Sequence, residues 1–202
     1  EQFFVELEAF ELKTGELRHM SKADCEFAYR DSIFKQDPGQ KLVVLSVTLQ
    51  LSAEPTPQLG YAGLKEALQG KEATPQRVFD AVCAIRKSKL PDPELIGNAG
   101  SFFKNPVVTR TKLLKLRESY PDLPAWDTDD PDLVKLPAAW LLDKKGWKGK
   151  TRGGAAVHEG HALVLVNAAG ATGEDILLLA QDMSSSILQS FGIALQTEVR
   201  IT

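Results

Sequence analysis

The sequence predicts an α+β fold, because segments with strand-like alternation and segments with helical periodicity both occur along its 202 residues. Residues 3–10 show the first pattern, with apolar side chains that alternate with glutamates. Residues 173–191 show the second pattern. Their apolar side chains recur at helical spacing between Thr172, a typical helix cap, and Gly192, a typical helix end. Both kinds of element are therefore expected in one chain.

The other predicted elements follow from local patterns of apolar residues, turn formers and helix caps. In chain order they are a turn at 14–15, a strand at 42–52, a loop at 53–60, a helix that begins at Thr74–Pro75, a short helix at 113–116, a loop at 125–132, a helix at 137–143, a strand at 162–166 and a strand at 193–201. Pro91 and Pro93 end the helix that begins at Thr74, so we place a domain boundary there.

Composition favours a soluble globular protein and argues against several classes of function. Hydrophobic residues make up 43% and charged residues 25% of the chain, and the formal net charge is -3. This charge argues against a nucleic-acid partner, and no apolar run is long enough to span a bilayer. Cys25 and Cys83 lie far apart without a CxxC spacing, which favours a reduced, cytoplasmic protein. His158 and His161 lack the spacing of a helical zinc motif, so no metal is expected.

One ten-residue stretch, 97–106, carries the strongest functional signal. Its glycines, asparagines and proline allow the backbone to leave ordinary helix and strand conformations, which predicts a shaped loop. Ser101, Lys104 and Asn105 supply a hydroxyl, an ammonium and an amide beside two phenylalanines. Such donors beside an apolar wall suit an oxyanion or proton-donor site. A turn packed by the phenylalanines is the alternative that composition alone favours.

The stretch GNAGSFFKNP resembles the signature of the UDP-N-acetylenolpyruvoylglucosamine reductase family. Three more segments are similar to motifs of that family and occur in the same order. Residues 25–35 contain its Tyr-Arg-Asp-Ser motif, residues 86–93 resemble the segment that leads into the serine loop, and residues 198–200 match its terminal Glu-Val-Arg. A protein without a ligand would require all four matches to be accidental.

The resemblance implies an oxidoreductase, specifically a flavoprotein of peptidoglycan synthesis. Members reduce the enolpyruvyl group of UDP-N-acetylglucosamine enolpyruvate to give UDP-N-acetylmuramate, with FAD as cofactor and NADPH as hydride donor. We therefore expect a cytoplasmic enzyme of cell wall biogenesis, with the links to cell shape, cell division and the cell cycle that this role brings. Neither a nucleic acid nor a membrane is expected as a partner.

The resemblance also assigns roles to individual residues. The family's catalytic arginine, proton-donating serine and carboxylate match Arg30, Ser101 and Glu198. Three substrate-binding positions match Tyr61, Lys89 and Asn105, the last two at the nucleotide diphosphate. At His161 the related sequences carry an amide.

Two motifs of the family's flavin-binding region, a Gly-Gly-Gly-Ser-Asn phosphate loop and a Gly-Thr-x-Gly segment, are absent from the sequence. We therefore expect the carboxy-terminal part of a longer protein, inactive by itself. Its expected parts are the remainder of an FAD-binding domain at 1–90, a substrate-binding domain at 91–192 and a terminal strand with the catalytic glutamate at 193–202. The alternative is a non-catalytic module that binds a UDP-sugar without flavin.

Overall fold

Strands and helices both occur, which confirms the α+β prediction, and they are distributed over two units, Glu1–Gln58 and Leu59–Thr202. The computed structural model describes residues 2–36, 41–54, 56–61 and 63–201. Pro55, in the predicted loop at 53–60, lies outside the described residues.

The first unit contains a three-stranded antiparallel sheet. Its strands are β1 (Phe4–Glu11), β2 (Glu16–Ser21) and β3 (Leu42–Leu49), in the order β2-β1-β3. Gly15 has φ 76°, a left-handed conformation that suits glycine and that closes the turn between β1 and β2. The strands predicted at 3–10 and 42–52 are thus confirmed with small changes at their ends.

One face of this sheet covers a small core, whereas β3 leaves several large apolar side chains exposed. The core consists of buried Leu7, Ala9, Met20 and Cys25. On β3, the side chains that are about half exposed are Leu45 (54%), Val47 (51%) and Leu49 (55%). The alternation in the sequence therefore predicts the strand correctly, but it does not report burial of this strand.

The second unit holds seven short strands and five helices among its described residues. The helices are α1 (Leu64–Leu68), α2 (Pro75–Lys89), α3 (Arg110–Ser119), α4 (Ala138–Lys144) and α5 (Gly173–Phe191). The strands are β4 (Asn98–Ser101), β5 (Val107–Thr109), β6 (Trp126–Asp127), β7 (Leu133–Lys135), β8 (Thr151–Arg152), β9 (Ala155–Val157) and β10 (Val164–Asn167). They form two antiparallel sheets, of order β4-β10-β9-β8 and β5-β7-β6.

Helix α5 organises the core of the second unit. One apolar stripe of this helix is buried, and it consists of Leu179, Ala180, Met183, Ile187 and Phe191. The stripe packs in one cluster with α3, α4 and strands of both sheets. A capping box at Thr172 begins the helix, and left-handed Gly192 (φ 61°) ends it, as the sequence predicts.

The strand predicted at 193–201 is wrong. Ile193 and Leu195 are buried, as their alternation indicates, but the segment makes a single bridge, between Thr197 and Phe103. The segment that faces it can pair over only a few residues. Pro106 follows soon after Phe103 in that segment, and proline has no N–H to donate to a neighbouring strand. Burial therefore accounts for Ile193 and Leu195, whereas Ile201 is 54% exposed.

The two compact units divide after Gln58, whereas the sequence places a domain boundary near Pro91. Helices α1 and α2 pack against each other and both belong to the second unit, which accounts for the earlier division. The functional ranges 1–90, 91–192 and 193–202 stay predictions. The loop expected at 125–132 includes a two-residue strand, β6.

Candidate active site

Ser101 lies at the end of β4, on the edge of the four-stranded sheet. It pairs with Val164 of β10, and the N–H of Phe102 donates to the carbonyl of Leu163 at 2.8 Å. The expectation of a loop is therefore wrong for residues 98–101, which form a short strand. Hydrogen bonds to β10 give that part of the stretch a partner that its composition does not reveal.

The shape expected from the glycines and asparagines is nevertheless present. Gly100 has φ 72°, and its N–H donates to Oδ1 of Asn98 at 3.0 Å. Asn98 also donates from Nδ2 to the carbonyl of Ile96 at 2.9 Å. These two bonds hold the backbone immediately before Ser101.

The two phenylalanines after Ser101 are core residues. Phe102 and Phe103 are 5% and 2% exposed, and their ring centroids lie 5.2 Å apart in an edge-to-face arrangement. Ser101 itself is only partly buried. The phenylalanines anchor the segment and leave Ser101 at the border of the core. The proton-donor site stays a prediction.

The structure brings the backbones of Ser101 and Glu198 together. The N–H of Glu198 donates to the carbonyl of Phe102 at 2.8 Å, beside the Phe103–Thr197 bridge. Glu198 is therefore held opposite the residue that follows Ser101, although 97 positions separate the two in the sequence.

Asn105 has a structural partner that the sequence did not indicate. Its Oδ1 accepts a hydrogen bond from the backbone N–H of Ala138 at 3.0 Å. Ala138 is the first residue of α4, and Pro137 before it provides no side-chain cap. Because the amide oxygen is engaged in this way, the amide NH₂ is left to donate to a ligand.

A group of basic side chains lies at the same end of the four-stranded sheet. His158 and His161 sit on one turn, which leads directly into β10, and the carbonyl of Val164 accepts from the N–H of His158 at 2.8 Å. Partial burial, then the charges of His158, Lys148 and Lys89, lower the pKa of His161. The sequence indicates a role for Lys89 through its motif but none for Lys148 or His158, whose backbone segments the hairpin of β8 and β9 brings together.

Arg30 belongs to the first unit, whereas the other five predicted site residues belong to the second. It occupies a tight turn closed by paired hydrogen bonds between Ala28 and Asp31, of 3.0 and 3.2 Å. Its backbone is left-handed (φ 53°), which is uncommon for a residue with a side chain. Lys35 Nζ donates to the Arg30 carbonyl at 3.2 Å and supports this turn. Such backbones occur preferentially at functional sites.

Tyr61 is 42% exposed, and its carbonyl accepts from the N–H of Leu64 at the start of α1. Its ring is therefore presented on the surface of the second unit.

The glycine pair at 153–154 does not form a cradle for the pyrophosphate of FAD. A Cβ on Gly153 would lie 2.2 Å from Oδ1 of Asp175, and one on Gly154 would lie 2.6 Å from the backbone N of Ala171. The space beside both glycines is thus filled by the chain itself.

Among residues 2–36, 41–54, 56–61 and 63–201, no group of three metal-binding side chains is arranged to hold an ion. In the same ranges, no helix is both long and apolar enough to cross a bilayer.

The backbone contact between Glu198 and Phe102 brings two of the predicted site segments together, and comparison with protein families gives the class of this α+β unit. The model of the UDP-N-acetylenolpyruvoylglucosamine reductase C-terminal domain matches residues 92–202, more than half of the chain. The chain therefore belongs to this family. The match includes Ser101, Asn105 and Glu198.

Curated relatives extend the similarity over nearly the whole chain. A UDP-N-acetylenolpyruvoylglucosamine reductase of Burkholderia cenocepacia (strain HI2424) is 46% identical over 201 residues, which are 97% of this chain and 57% of the relative. A UDP-N-acetylenolpyruvoylglucosamine reductase of Burkholderia pseudomallei (strain K96243) is 46% identical over 202 residues, which are 98% of this chain and 58% of the relative. The chain thus spans a little more than half the length of these relatives.

A solved structure gives the same fold. The crystal structure of UDP-N-acetylenolpyruvylglucosamine reductase from Thermus caldophilus superposes with a TM-score of 0.57 at 22% sequence identity. The superposition covers 98% of this chain and 52% of that structure. At this identity the likeness concerns the fold.

Proposed function

We propose that the chain forms part of a reductase that converts UDP-N-acetylglucosamine enolpyruvate to UDP-N-acetylmuramate in cytoplasmic peptidoglycan synthesis. The observation that carries the proposal is the hydrogen bond that holds Glu198 against the segment of Ser101, at the two motifs that match the family's catalytic serine and glutamate. Family membership over residues 92–202 supports the same activity. Through this product the enzyme contributes to cell wall biogenesis, and thereby to cell shape and division.

Reduction of an enolpyruvyl double bond requires a hydride at one carbon and a proton at the other. In the family the hydride comes from FAD, which NADPH reduces, and the described residues of this chain form no cradle for FAD at their glycine pair. The step assigned to this chain is protonation. A serine hydroxyl is a weak acid, but it can protonate a strongly basic carbon held within hydrogen-bond reach.

The second task of the site is to orient the proton and to bind the negatively charged carboxylate of the substrate. Glu198 is the carboxylate that orients or relays the proton of Ser101. Arg30 offers a planar pair of donors that suits a carboxylate such as that of the enolpyruvyl group. The left-handed turn that presents Arg30 is consistent with a functional requirement at this residue.

Binding of the nucleotide sugar falls to Lys89, Asn105 and Tyr61. An ammonium and an amide NH₂ both suit phosphate oxygens, and the hydrogen bond from Ala138 orients the Asn105 amide so that its NH₂ remains a donor. The exposed ring of Tyr61 can cover the substrate. These groups act away from the reacting carbons, so they contribute to affinity in the ground state and the transition state alike.

A second candidate is a UDP-sugar-binding module without flavin. The specific observation in its favour is the filled space beside Gly153 and Gly154. The two candidates share the nucleotide-sugar site and differ in redox chemistry.

The experiment is calorimetric titration of the protein with UDP-N-acetylglucosamine, combined with a visible absorption spectrum after incubation with FAD. Lys89→Ala should weaken binding about 10- to 100-fold, the range for loss of a charged hydrogen bond. Lys87→Ala, on the same last turn of α2, is the matched control and should bind as the unaltered protein does. A flavin spectrum retained after gel filtration would favour the reductase over the module. Failure of the unaltered protein to bind the sugar nucleotide would contradict both candidates.

A further inference from the structure

Strand β4 contains a bulge immediately before Ser101. Asn98 pairs with Val166 of β10, and Ser101 pairs with Val164. Three steps along β4 therefore oppose two steps along β10, so β4 carries one extra residue. Gly100 in this stretch has φ 72°, the left-handed conformation that is typical of one class of bulge. The pairing of the two strands thus shifts by one residue just before the serine.

This shift decides which face of the sheet carries the side chain of Ser101. Directly opposed residues of an antiparallel pair have their side chains on the same face. Val164, which opposes Ser101, lies in the small hydrophobic cluster against which Leu90 packs. Its neighbours along β10, Leu163 and Leu165, lie in the main core of the second unit instead. Ser101 is therefore on the face of the small cluster and points away from the main core.

An unbroken strand would place the serine on the other face. If the pairing of Asn98 with Val166 continued without the extra residue, Ser101 would oppose Leu163. A slip of one residue moves a side chain from one face of a sheet to the other, so the hydroxyl would be directed into the main core. The bulge is therefore the feature that keeps the hydroxyl out of that core.

The side chain of Asn98 holds this bulge. Its Oδ1 accepts from the N–H of Gly100 at 3.0 Å, across the extra residue. Its Nδ2 donates to the carbonyl of Ile96 at 2.9 Å and to that of Pro91 at 3.4 Å. One amide thus connects the left-handed glycine to the segment that precedes β4. Asparagine suits this place, because its short side chain reaches the backbone two residues further along the chain.

We propose that Asn98 is a positioning residue for the reaction, which fixes the bulge and thereby directs the Ser101 hydroxyl toward the substrate. The inference rests on the proposed function, in which Ser101 donates the proton. Asn98 acts through the backbone of Gly100 and not by contact with the substrate. A displacement of about 1 Å at a reacting group can cost about 100-fold in rate. Loss of the amide should therefore slow protonation and leave substrate affinity and flavin reduction unchanged.

The test is stopped-flow kinetics of a flavin-containing form, in which the part of the Burkholderia cenocepacia reductase that this chain does not match is joined to the chain. Asn98→Ala should slow flavin reoxidation by the enolpyruvyl substrate about 10- to 100-fold. It should change neither flavin reduction by NADPH nor the dissociation constant of the substrate. Asn98→Asp keeps an acceptor for the N–H of Gly100 and should therefore be reoxidised faster than Asn98→Ala.

Asn167→Ala, on the neighbouring strand β10, is the matched control. The Oδ1 of Asn167 accepts from the N–H of Ala171 at 2.7 Å, a bond of the same kind that lies outside the bulge. This variant should leave both half-reactions unchanged.

A double variant distinguishes positioning from a merely structural role. If Asn98 acts only through the serine, Asn98→Ala should have no further effect on reoxidation in a protein that already carries Ser101→Ala. A residue that only supports the fold would slow the double variant further, by the same factor as it slows the unaltered protein.

The outcomes separate the inference from the proposed function. Slow reoxidation in Ser101→Ala together with normal reoxidation in Asn98→Ala overturns the positioning role and leaves the proposed function standing. Full additional slowing in the double variant has the same meaning. Normal reoxidation in Ser101→Ala overturns both.

If Asn98→Ala does not fold, Gly100→Ala provides the decision. The added methyl group meets no atom within 4 Å, but the left-handed backbone is strained in alanine, so this variant disturbs the same bulge without touching Asn98. Its flavin reoxidation must be slower than that of the unaltered form, at an unchanged rate of flavin reduction. Equal reoxidation rates contradict the proposal.

Discussion

Asn105 serves both the fold and the proposed site through different atoms of one amide. Its Oδ1 caps the N-terminus of α4 at Ala138, and in the proposed function its Nδ2 donates to a phosphate oxygen. The two roles can be separated by substitution, because aspartate keeps the acceptor and removes the donor.

Asn105→Asp should therefore fold normally but bind poorly. A carboxylate near a helix N-terminus is favourable, so we expect a change in unfolding free energy within about 1 kcal/mol. Repulsion of the diphosphate and loss of the donor should weaken UDP-N-acetylglucosamine binding by at least about tenfold. Asn105→Ala, which loses the cap as well, should cost about 1 kcal/mol of stability. Urea unfolding and calorimetry measure the two effects, and unchanged affinity of Asn105→Asp would contradict the assigned role.

The sequence predicts roles for Ser101, Asn105 and Glu198, which stay predictions, because each lies in a segment that resembles a family motif. It could not identify the partner of Asn105, since Ala138 is 33 positions away and the bond depends on how α4 is placed. The same holds for Lys148 and His158, whose backbone segments come together only because β8 and β9 form a hairpin. Tertiary neighbours of this kind leave no local signal in a single sequence.

At the scale of elements, α5 was the most predictable part of the chain. Its long apolar stripe, the Thr172 cap and Gly192 all appear in the structure as expected. The strand predicted after it is wrong, because alternation in a sequence does not show whether a neighbouring strand is available to pair with. Ile193 and Leu195 are buried without a full ladder of hydrogen bonds.

Loss of the α5 capping box should destabilise the second unit by a measurable amount. Thr172 accepts from the N–H of Asp175 at 3.1 Å, and Asp175 accepts in return from Thr172. Thr172→Ala should cost about 1 kcal/mol in unfolding free energy, within the usual range of about 0.5–2 kcal/mol. Ser190→Ala, an exposed change near the other end of α5, is the control and should stay within about 0.5 kcal/mol. Equal midpoints in urea for both variants would show that the cap contributes nothing.

Gly154 tests how tightly β9 is packed against the chain before α5. An added Cβ would lie 2.6–2.8 Å from backbone atoms of Ala169 and Ala171, which cannot turn away as a side chain can. Gly154→Ala should therefore cost about 1–3 kcal/mol, the usual range for overpacking. Gly173→Ala has open space around the new methyl group and should be neutral or slightly stabilising. If the two variants melt at the same temperature, the close approach at Gly154 is absent.

At the scale of the whole molecule, the proposed function gives the chain the proton-donating serine and a nucleotide-sugar site, whereas its glycine pair forms no cradle for FAD. The curated relatives are longer, and the chain covers 57% of the Burkholderia cenocepacia reductase. In the proposed function, this chain therefore binds the substrate and donates the proton, and the flavin delivers the hydride.

These 202 residues alone should bind the sugar nucleotide without turning it over. We expect no oxidation of NADPH above background when UDP-N-acetylglucosamine enolpyruvate and FAD are added, because no flavin is positioned against the substrate. Absorbance at the NADPH band measures the rate. Substrate-dependent turnover would mean that the flavin site is formed by residues other than the glycine pair.

The central claim, that Ser101 donates the proton, is tested most directly by stopped-flow kinetics of a flavin-containing form. Such a form can be made by joining the part of the Burkholderia cenocepacia reductase that this chain does not match in front of the chain. In this chimera, Ser101→Ala should leave flavin reduction by NADPH unchanged and slow flavin reoxidation by the enolpyruvyl substrate about 100- to 10,000-fold. Ser88→Ala, an exposed serine on α2, should change neither rate. Equal slowing of both half-reactions by Ser101→Ala, or reoxidation at the unaltered rate, would contradict the assignment.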